Sequence, residues 1–296
     1  MSFWSKFINF TWNISDTQRD KKIPLPENVE AFRNISYVKD GDKYNLLDIF
    51  IGKPVVDHKK IPLIINVHGG GYVYGDKDLY QRYAMLLASF GYAVISFSYH
   101  LAPKYKFPTP LIELDKVVSF AKKNAEKYHF DLENTFLIGD SAGGNLSFIY
   151  GVCQSSKDYR NLFGQLDMAI SIKAIIMNCP AFSLFYNGKN FLSMMHGISK
   201  DYYGQINSND ARLYPLNYLN KNFPRCLIMT AEKDFLRPSI EKDLHVFDEK
   251  NVEYTYIYCK DKKKKLAHVF HLNIIEENAI RLNKREDMFL KEIINQ

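Results

Sequence analysis

The chain has 296 residues, 46% of them hydrophobic, with 39 basic against 33 acidic side chains and a formal charge of +6. That length and apolar fraction suit one α/β domain with a sizeable core. The charge is a mild excess without a basic domain, which argues against nucleic acid as a partner. The densest basic run, Lys260 and Lys262 to Lys265, reads as a solvated loop. Of the four cysteines, Cys179, Cys226 and Cys259 sit in apolar, strand-like runs and Cys153 in a helix-period segment. No C-x-x-C occurs and no histidine is spaced for zinc, so buried, reduced thiols and no metal are expected. No apolar run is long enough to span a bilayer, and the N-terminus lacks the pattern of a signal peptide. A cytoplasmic protein with no stable membrane association is the expectation, with a homodimer left open.

In chain order, Met1–Glu30 opens with a helical stripe of Phe3, Trp4, Phe7, Ile8 and Trp12. "NISYV" (Asn34–Val38) and Tyr44–Ile51 flank "KDGDK" and read as an antiparallel hairpin. Strand-like and helix-period segments then alternate. Pro62–His68 is followed by the helix Leu79–Phe90, Tyr92–Tyr99 by Pro110–His129, and Thr135–Gly139 by Ser141–Cys153. Ile172–Cys179 precedes a long aromatic insertion, Ala181–Phe223, which holds Phe182, Phe185, Tyr186, Phe191, Met194, Met195, Tyr202 and Tyr203. Arg225–Ala231, the helix Pro238–Asn251, Glu253–Cys259 and the helix Asn273–Ile294 complete the chain. Near-continuous apolar strands alternating with helices predict a mostly parallel sheet covered on both faces. No repeat or low-complexity linker divides the chain, so residues 1–296 are expected to form one domain.

"GDSAG", residues 139–143, is G-x-S-x-G between a strand and a helix. Such a turn stands the Ser141 hydroxyl at the carboxyl end of the sheet and at a helix N-terminus, where negative charge is favoured. A glycine-rich turn with an idle serine has the same pattern, so partners are required. "HGGGY", residues 68–72, follows the strand Pro62–His68 and offers bare backbone N–H groups. Gly70, Gly71 and Ala142 are the expected oxyanion donors, each able to supply about 3 kcal/mol to the transition state. His68 precedes the nucleophile and reads as an organiser of its loop. Acid and base follow the serine in this architecture. Asp234, in "EKDFLRP" (232–238), is the expected acid, with Glu232 as competitor. Of the later histidines, His245 lies in a helix-period segment, His268 in a loop, and His271 at the start of the last helix. His268 is the expected base and His271 a packing or capping residue.

These residues resemble the hormone-sensitive-lipase-like esterases of the α/β-hydrolase superfamily. The blocks "HGGGY" (68–72), "YHLAPKYKFP" (99–108), "GDSAGGNL" (139–146), "EKDFLRP" (232–238) and "HVF" (268–270) come in the family's order. The resemblance implies an α/β-hydrolase fold and favours Gly70 and Gly71 over Gly69, Asp234 over Glu232, and His268 over His271. It also implies a small cap, similar in position to Met1–Glu30 and Ala181–Phe223. The chain departs from the family around L-A-P, where His100 and Lys104 replace the usual Arg and Glu. The implied activity is hydrolysis of short-to-medium acyl esters by Ser141, Asp234 and His268, with no cofactor and a small-molecule ester as partner. An amidase or arylformamidase would use the same triad. A receptor without catalysis is the reading from another class, and an interfacial lipase with "FWSKFINFTW" lying on lipid is a third reading.

Overall fold

The computed structural model describes residues 1–53, 60–164, 166–182 and 194–296. Phe185, Tyr186 and Phe191 of the aromatic insertion therefore lie outside the described residues.

The frame is an eight-stranded sheet in the order β1-β2-β4-β3-β5-β6-β7-β8. The strands are β1 (Val29–Ser36), β2 (Leu46–Gly52), β3 (Ile61–Val67), β4 (Ala93–Phe97), β5 (Phe130–Asp140), β6 (Ala174–Asn178), β7 (Arg225–Ala231) and β8 (Tyr254–Cys259). β2 pairs antiparallel with both β1 and β4, which bears out the hairpin, and every pair from β4 to β8 is parallel. The central strands carry side chains buried on both faces, the reason their sequences run apolar without alternation.

Helices cover both faces. They are α1 (Phe3–Asp20), α2 (Gln81–Ser89), α3 (Thr109–Lys123), α4 (Ala142–Ser155), α5 (Lys157–Asn161), α6 (Met194–Tyr203), α7 (Arg237–Glu249) and α8 (Glu277–Ile294). One apolar cluster holds Leu63, Ile65, Val67, Leu146 and Phe247. The other holds Ile64, Val94, Phe136, Leu227 and Leu290. The alternation of β3 residues between the two clusters is the period-2 pleat of a strand buried between two layers. α4 is buried through twelve consecutive residues, Ala142 to Cys153, as a helix apolar all round must be.

Four boundaries differ from the sequence reading by four residues or more. α3 ends at Lys123, and β5 starts at Phe130 rather than at Thr135. His129 takes a φ of 56°, which closes the connection, and Ile61 and Pro62 of β3 supply partners for Phe130 and Asp131. α8 begins at Glu277 because Phe270–Leu272 forms a separate 3-10 turn. β1 begins at Val29, inside the stretch assigned to the N-terminal segment.

α1 and α6 meet above the carboxyl end of the sheet. The Ser2 N–H donates to Asp201 at 2.6 Å, and Trp4 lies so close to Gly197 that a Cβ there would fall 2.7 Å from it. α6 in turn stacks Tyr202 on Tyr72 at 3.6 Å, which ties these covering elements to the glycine loop after β3.

Candidate active site

β5 ends at Asp140, and Ser141 turns the chain into α4 with φ 50° and ψ −114°. A non-glycine residue holds that conformation only when its surroundings over-determine it. Its N–H donates to the Asn178 carbonyl at 2.9 Å, and its carbonyl accepts from Asn145 N–H at 3.0 Å. The flanking glycines are dictated by space. A Cβ on Gly139 would fall 2.4 Å from the Gly143 carbonyl oxygen, and one on Gly143 only 2.0 Å from that of Val67.

The glycine loop follows β3, one strand away. Gly70, Gly71 and Tyr72 have φ values of 105°, 60° and 64°. A Cβ on Gly70 would lie 2.0 Å from the Tyr74 carbonyl oxygen, so the turn closes only on glycine. Among the described residues, the N–H groups of Gly70, Gly71 and Ala142 donate to no protein acceptor. Gly70 lines the cavity at Ser141, whereas Gly71 packs against Ile198 of α6.

Asp234 sits in the turn after β7. Its Oδ1 accepts from the Leu236 N–H at 3.0 Å and lies 2.7 Å from His268 Nδ1, while Oδ2 accepts from Thr230 Oγ1 at 2.6 Å. Burial works to raise its pKa, but the hydrogen bond and charge of His268, with the other donors, hold the carboxyl below its usual range. Cys179 closes the far side of this pair. Its sulfur, an Asp234 carboxylate oxygen and a His268 ring nitrogen all lie within 4.8 Å of one another, and burial pushes the thiol far above its ordinary range.

His268 and Ser141 both line a cavity of about 320 Å³, and among the described residues His268 Nε2 has no hydrogen-bond partner. Trp12, Tyr80, Phe235 and Phe270 supply apolar wall, and Asp16 and Arg19 of α1 bring a paired charge.

The competing residues stand elsewhere. Glu232 pairs with Lys265. His245 is exposed on α7. His271 is buried, with its pKa pushed down to about 3 by desolvation, and meets Tyr83 edge to face. His68 is fully buried, faces the Gly69 carbonyl at 2.7 Å and stacks on Tyr99 at 3.9 Å; desolvation lowers its pKa to about 4. It braces the glycine loop. His100, the departure from the family pattern, pairs with Glu113 and with Asp42.

Sequence reasoning missed two buried carboxyls behind the elbow. Asp140 accepts from Tyr80 Oη at 2.9 Å, and that oxygen accepts from Gly69 N–H at 2.8 Å, so the residue before the serine props the glycine loop. Glu286 of α8 accepts from Tyr83 Oη and from Asn178 Nδ2, both at 2.7 Å, and Asn178 is the residue whose carbonyl holds Ser141. Burial raises both carboxyls to about 7. The aspartate in "GDSAG" was visible; nothing in the sequence marked its partner Tyr80.

The BD-FAE family profile matches residues 47–244, a span that holds Ser141, Asp234 and the glycine loop. The alpha/beta hydrolase R526 of Acanthamoeba polyphaga mimivirus is 27% identical over 235 residues, 73% of this chain and 68% of that one. Esterase LipC of Mycobacterium tuberculosis is 31% identical over 149 residues, 46% of this chain; the match spans only 36% of LipC. An inhibited esterase B from Lactobacillus rhamnosis has the same fold, with a TM-score of 0.88 at 23% identity, covering 100% of this chain and 98% of that one. By the profile match the chain belongs to the BD-FAE family, and its fold is the α/β-hydrolase fold.

Proposed function

We propose that this carboxylic ester hydrolase works on short-to-medium acyl esters through Ser141, His268 and Asp234. One observation carries the reading. His268, whose Nδ1 is 2.7 Å from Asp234, lines the same cavity as a serine held at positive φ beside backbone N–H groups that donate to no acceptor among the described residues. In this reading Ser141 Oγ attacks the ester carbonyl and His268 Nε2 takes its proton. Asp234 fixes the imidazole with its Nδ1–H toward Oδ1 and stabilises the imidazolium. The N–H groups of Gly70, Gly71 and Ala142 receive the oxyanion, each for about 3 kcal/mol. His268 returns the proton to the leaving alcohol, and water resolves the acyl-enzyme by the same steps. The chain acts as a single domain, residues 1–296, with cap elements at about 1–30 and 181–223.

The size preference follows from volume. A cavity of about 320 Å³ is near the lower end for ligand sites and is walled by bulky rings. Each buried methylene adds about 0.8 kcal/mol only while there is room. A panel of p-nitrophenyl esters with one aryl formamide tests the proposal. kcat/KM is expected to peak at an acyl chain of roughly two to six carbons and to fall beyond, as overpacking outweighs transfer. Activity is expected to vanish in Ser141→Ala. A rate that keeps rising to palmitoyl esters refutes the size argument, faster formamide turnover refutes the ester preference, and Ser141→Ala within tenfold of wild type refutes the nucleophile.

A further inference from the structure

α1 is apolar on two faces. Trp4, Ile8 and Trp12 point inward, where Ile8 is fully buried and Trp12 meets Tyr74 edge to face. Phe3, Phe7, Phe10 and Ile14 form a second stripe at helical spacing on the outside, 74%, 48%, 69% and 43% exposed, with Met1 beside it. A helix apolar on both sides belongs between two apolar phases. No helix among the described residues is long and apolar enough to cross a membrane, so this one would lie along a surface rather than span it.

Two features choose the covering phase. The first is area. At roughly 200 Å² per aromatic side chain the stripe exposes on the order of 500 Å², short of the about 800 Å² per partner of a stable protein interface. The second is charge. Lys6, Lys21 and Lys22 are exposed along the helix and just past its end, while its acids Asp16 and Asp20 are tied to Arg19 at 2.9 and 2.8 Å. A second copy meeting the same patch would set these lysines against one another with no free carboxylate from α1 to answer them. An anionic headgroup layer answers them, and its acyl boundary accepts the phenylalanines. The basic run Lys260 to Lys265, in which Lys264 and Lys265 pair with Glu276 and Glu232, leads to His268, Val269, Phe270, Leu272 and Asn273, which wall the cavity together with Trp12, Ser15 and Arg19 of α1. Phe235 stands 46% exposed with its ring 4.4 Å from that of His268.

We propose that the outer face of α1 docks on the surface of an anionic lipid bilayer, so that esters dissolved in the lipid meet the cavity mouth. Delivery of such esters rests on the esterase reading; docking itself does not. The test is co-sedimentation of the full chain with phosphatidylcholine vesicles, with and without phosphatidylserine. Binding is expected with phosphatidylserine, about tenfold or more weaker without it or at high salt. A variant carrying Phe3→Ser, Phe7→Ser and Phe10→Ser is expected to lose at least about tenfold in vesicle affinity. It should keep the wild-type melting temperature and the wild-type rate on water-soluble p-nitrophenyl acetate. Wild-type binding no stronger than the variant's overturns the proposal. So does light scattering that finds a wild-type dimer dissolved by the three substitutions, because a second copy then covers the stripe. An inactive protein that still binds the vesicles separates failure of the esterase reading from failure of docking.

Discussion

Asp234→Asn removes one charge and almost no volume, and its effect can be worked from the carboxylate's partners. Oδ1 takes the Leu236 N–H and faces His268 Nδ1, Oδ2 takes Thr230 Oγ1, and the Cys179 thiol lies against the same carboxylate. An asparagine is steered by the Leu236 N–H to keep its oxygen at the Oδ1 position. Its NH₂ then donates to the Thr230 hydroxyl, which can accept as well as donate. The His268 tautomer and ring orientation should survive, so the loss is that of the charge opposite the developing imidazolium. Two unit charges about 4 Å apart at an effective dielectric of 20 interact by about 4 kcal/mol, or roughly a thousandfold in kcat. That is milder than the ~10⁴ seen where the amide imposes the wrong tautomer. Asp234 does not line the cavity, so KM should hardly change. The assay is steady-state hydrolysis of p-nitrophenyl butyrate beside a melting curve, with Glu232→Gln as control, since Glu232 pairs with Lys265. A loss below tenfold in Asp234→Asn, or a larger loss in Glu232→Gln, refutes the reasoning. A loss of ~10⁴ or more shows that the amide flipped and that Leu236 does not pin it.

His268→Ala is expected to cost several orders of magnitude in kcat, and His271→Ala to lower the melting temperature while leaving kcat near wild type; reversal of the two in paired kinetics and melts would exchange their roles. Gly70→Ala sets a Cβ 2.0 Å from the Tyr74 carbonyl oxygen at φ 105°, so the loop must shift, and kcat should fall by about 10²–10³ with KM changed far less; an unchanged kcat removes this loop from the oxyanion site. Glu286 binds a proton in the fold between its ordinary pKa of 4.5 and about 7 that the unfolded chain has released. Its contribution to stability therefore falls as pH rises through that window and is flat above it. Glu286→Gln should flatten the decline in melting temperature between pH 5 and pH 8, leaving the share due to Asp140; an unaltered slope would mean that Glu286 stays ionised in the fold.

Elements that satisfy their requirements locally were legible. β7 runs Arg225–Ala231, as its apolar run suggested, because a strand buried on both faces is mostly apolar without alternation. The glycine loop and the elbow were legible because only glycine tolerates the close approaches at Gly70, Gly139 and Gly143. The first turn of β5 was not, because Asp131, Glu133 and Asn134 are polar and are held by pairing with β3 and by local side-chain bonds rather than by burial. Tyr80–Asp140 and Asn178–Glu286 were hidden for a different reason. They join residues 60 and 108 positions apart, and their side chains look like ordinary surface polars until the fold removes the water around them. The walls that α1 gives the cavity were equally invisible, since an aromatic helical stripe says which face is apolar but not what lies beneath it.

Glu286 also fixes when, during synthesis, the elbow can be finished. The ribosome delivers β5, the serine and β6 long before α8 emerges. Until then Asn178 and Tyr83 have no carboxylate to receive them, and the backbone carbonyl that holds Ser141 belongs to a residue whose own side chain is unsatisfied. His268, too, reaches Asp234 only after β8 has been added to the sheet edge. A nascent chain can thus carry every strand up to β7 in place and still hold its serine in a turn that nothing behind it has locked. Under the proposed mechanism, competence would wait for α8, so that a growing polypeptide would not present an activated serine to the esters around it.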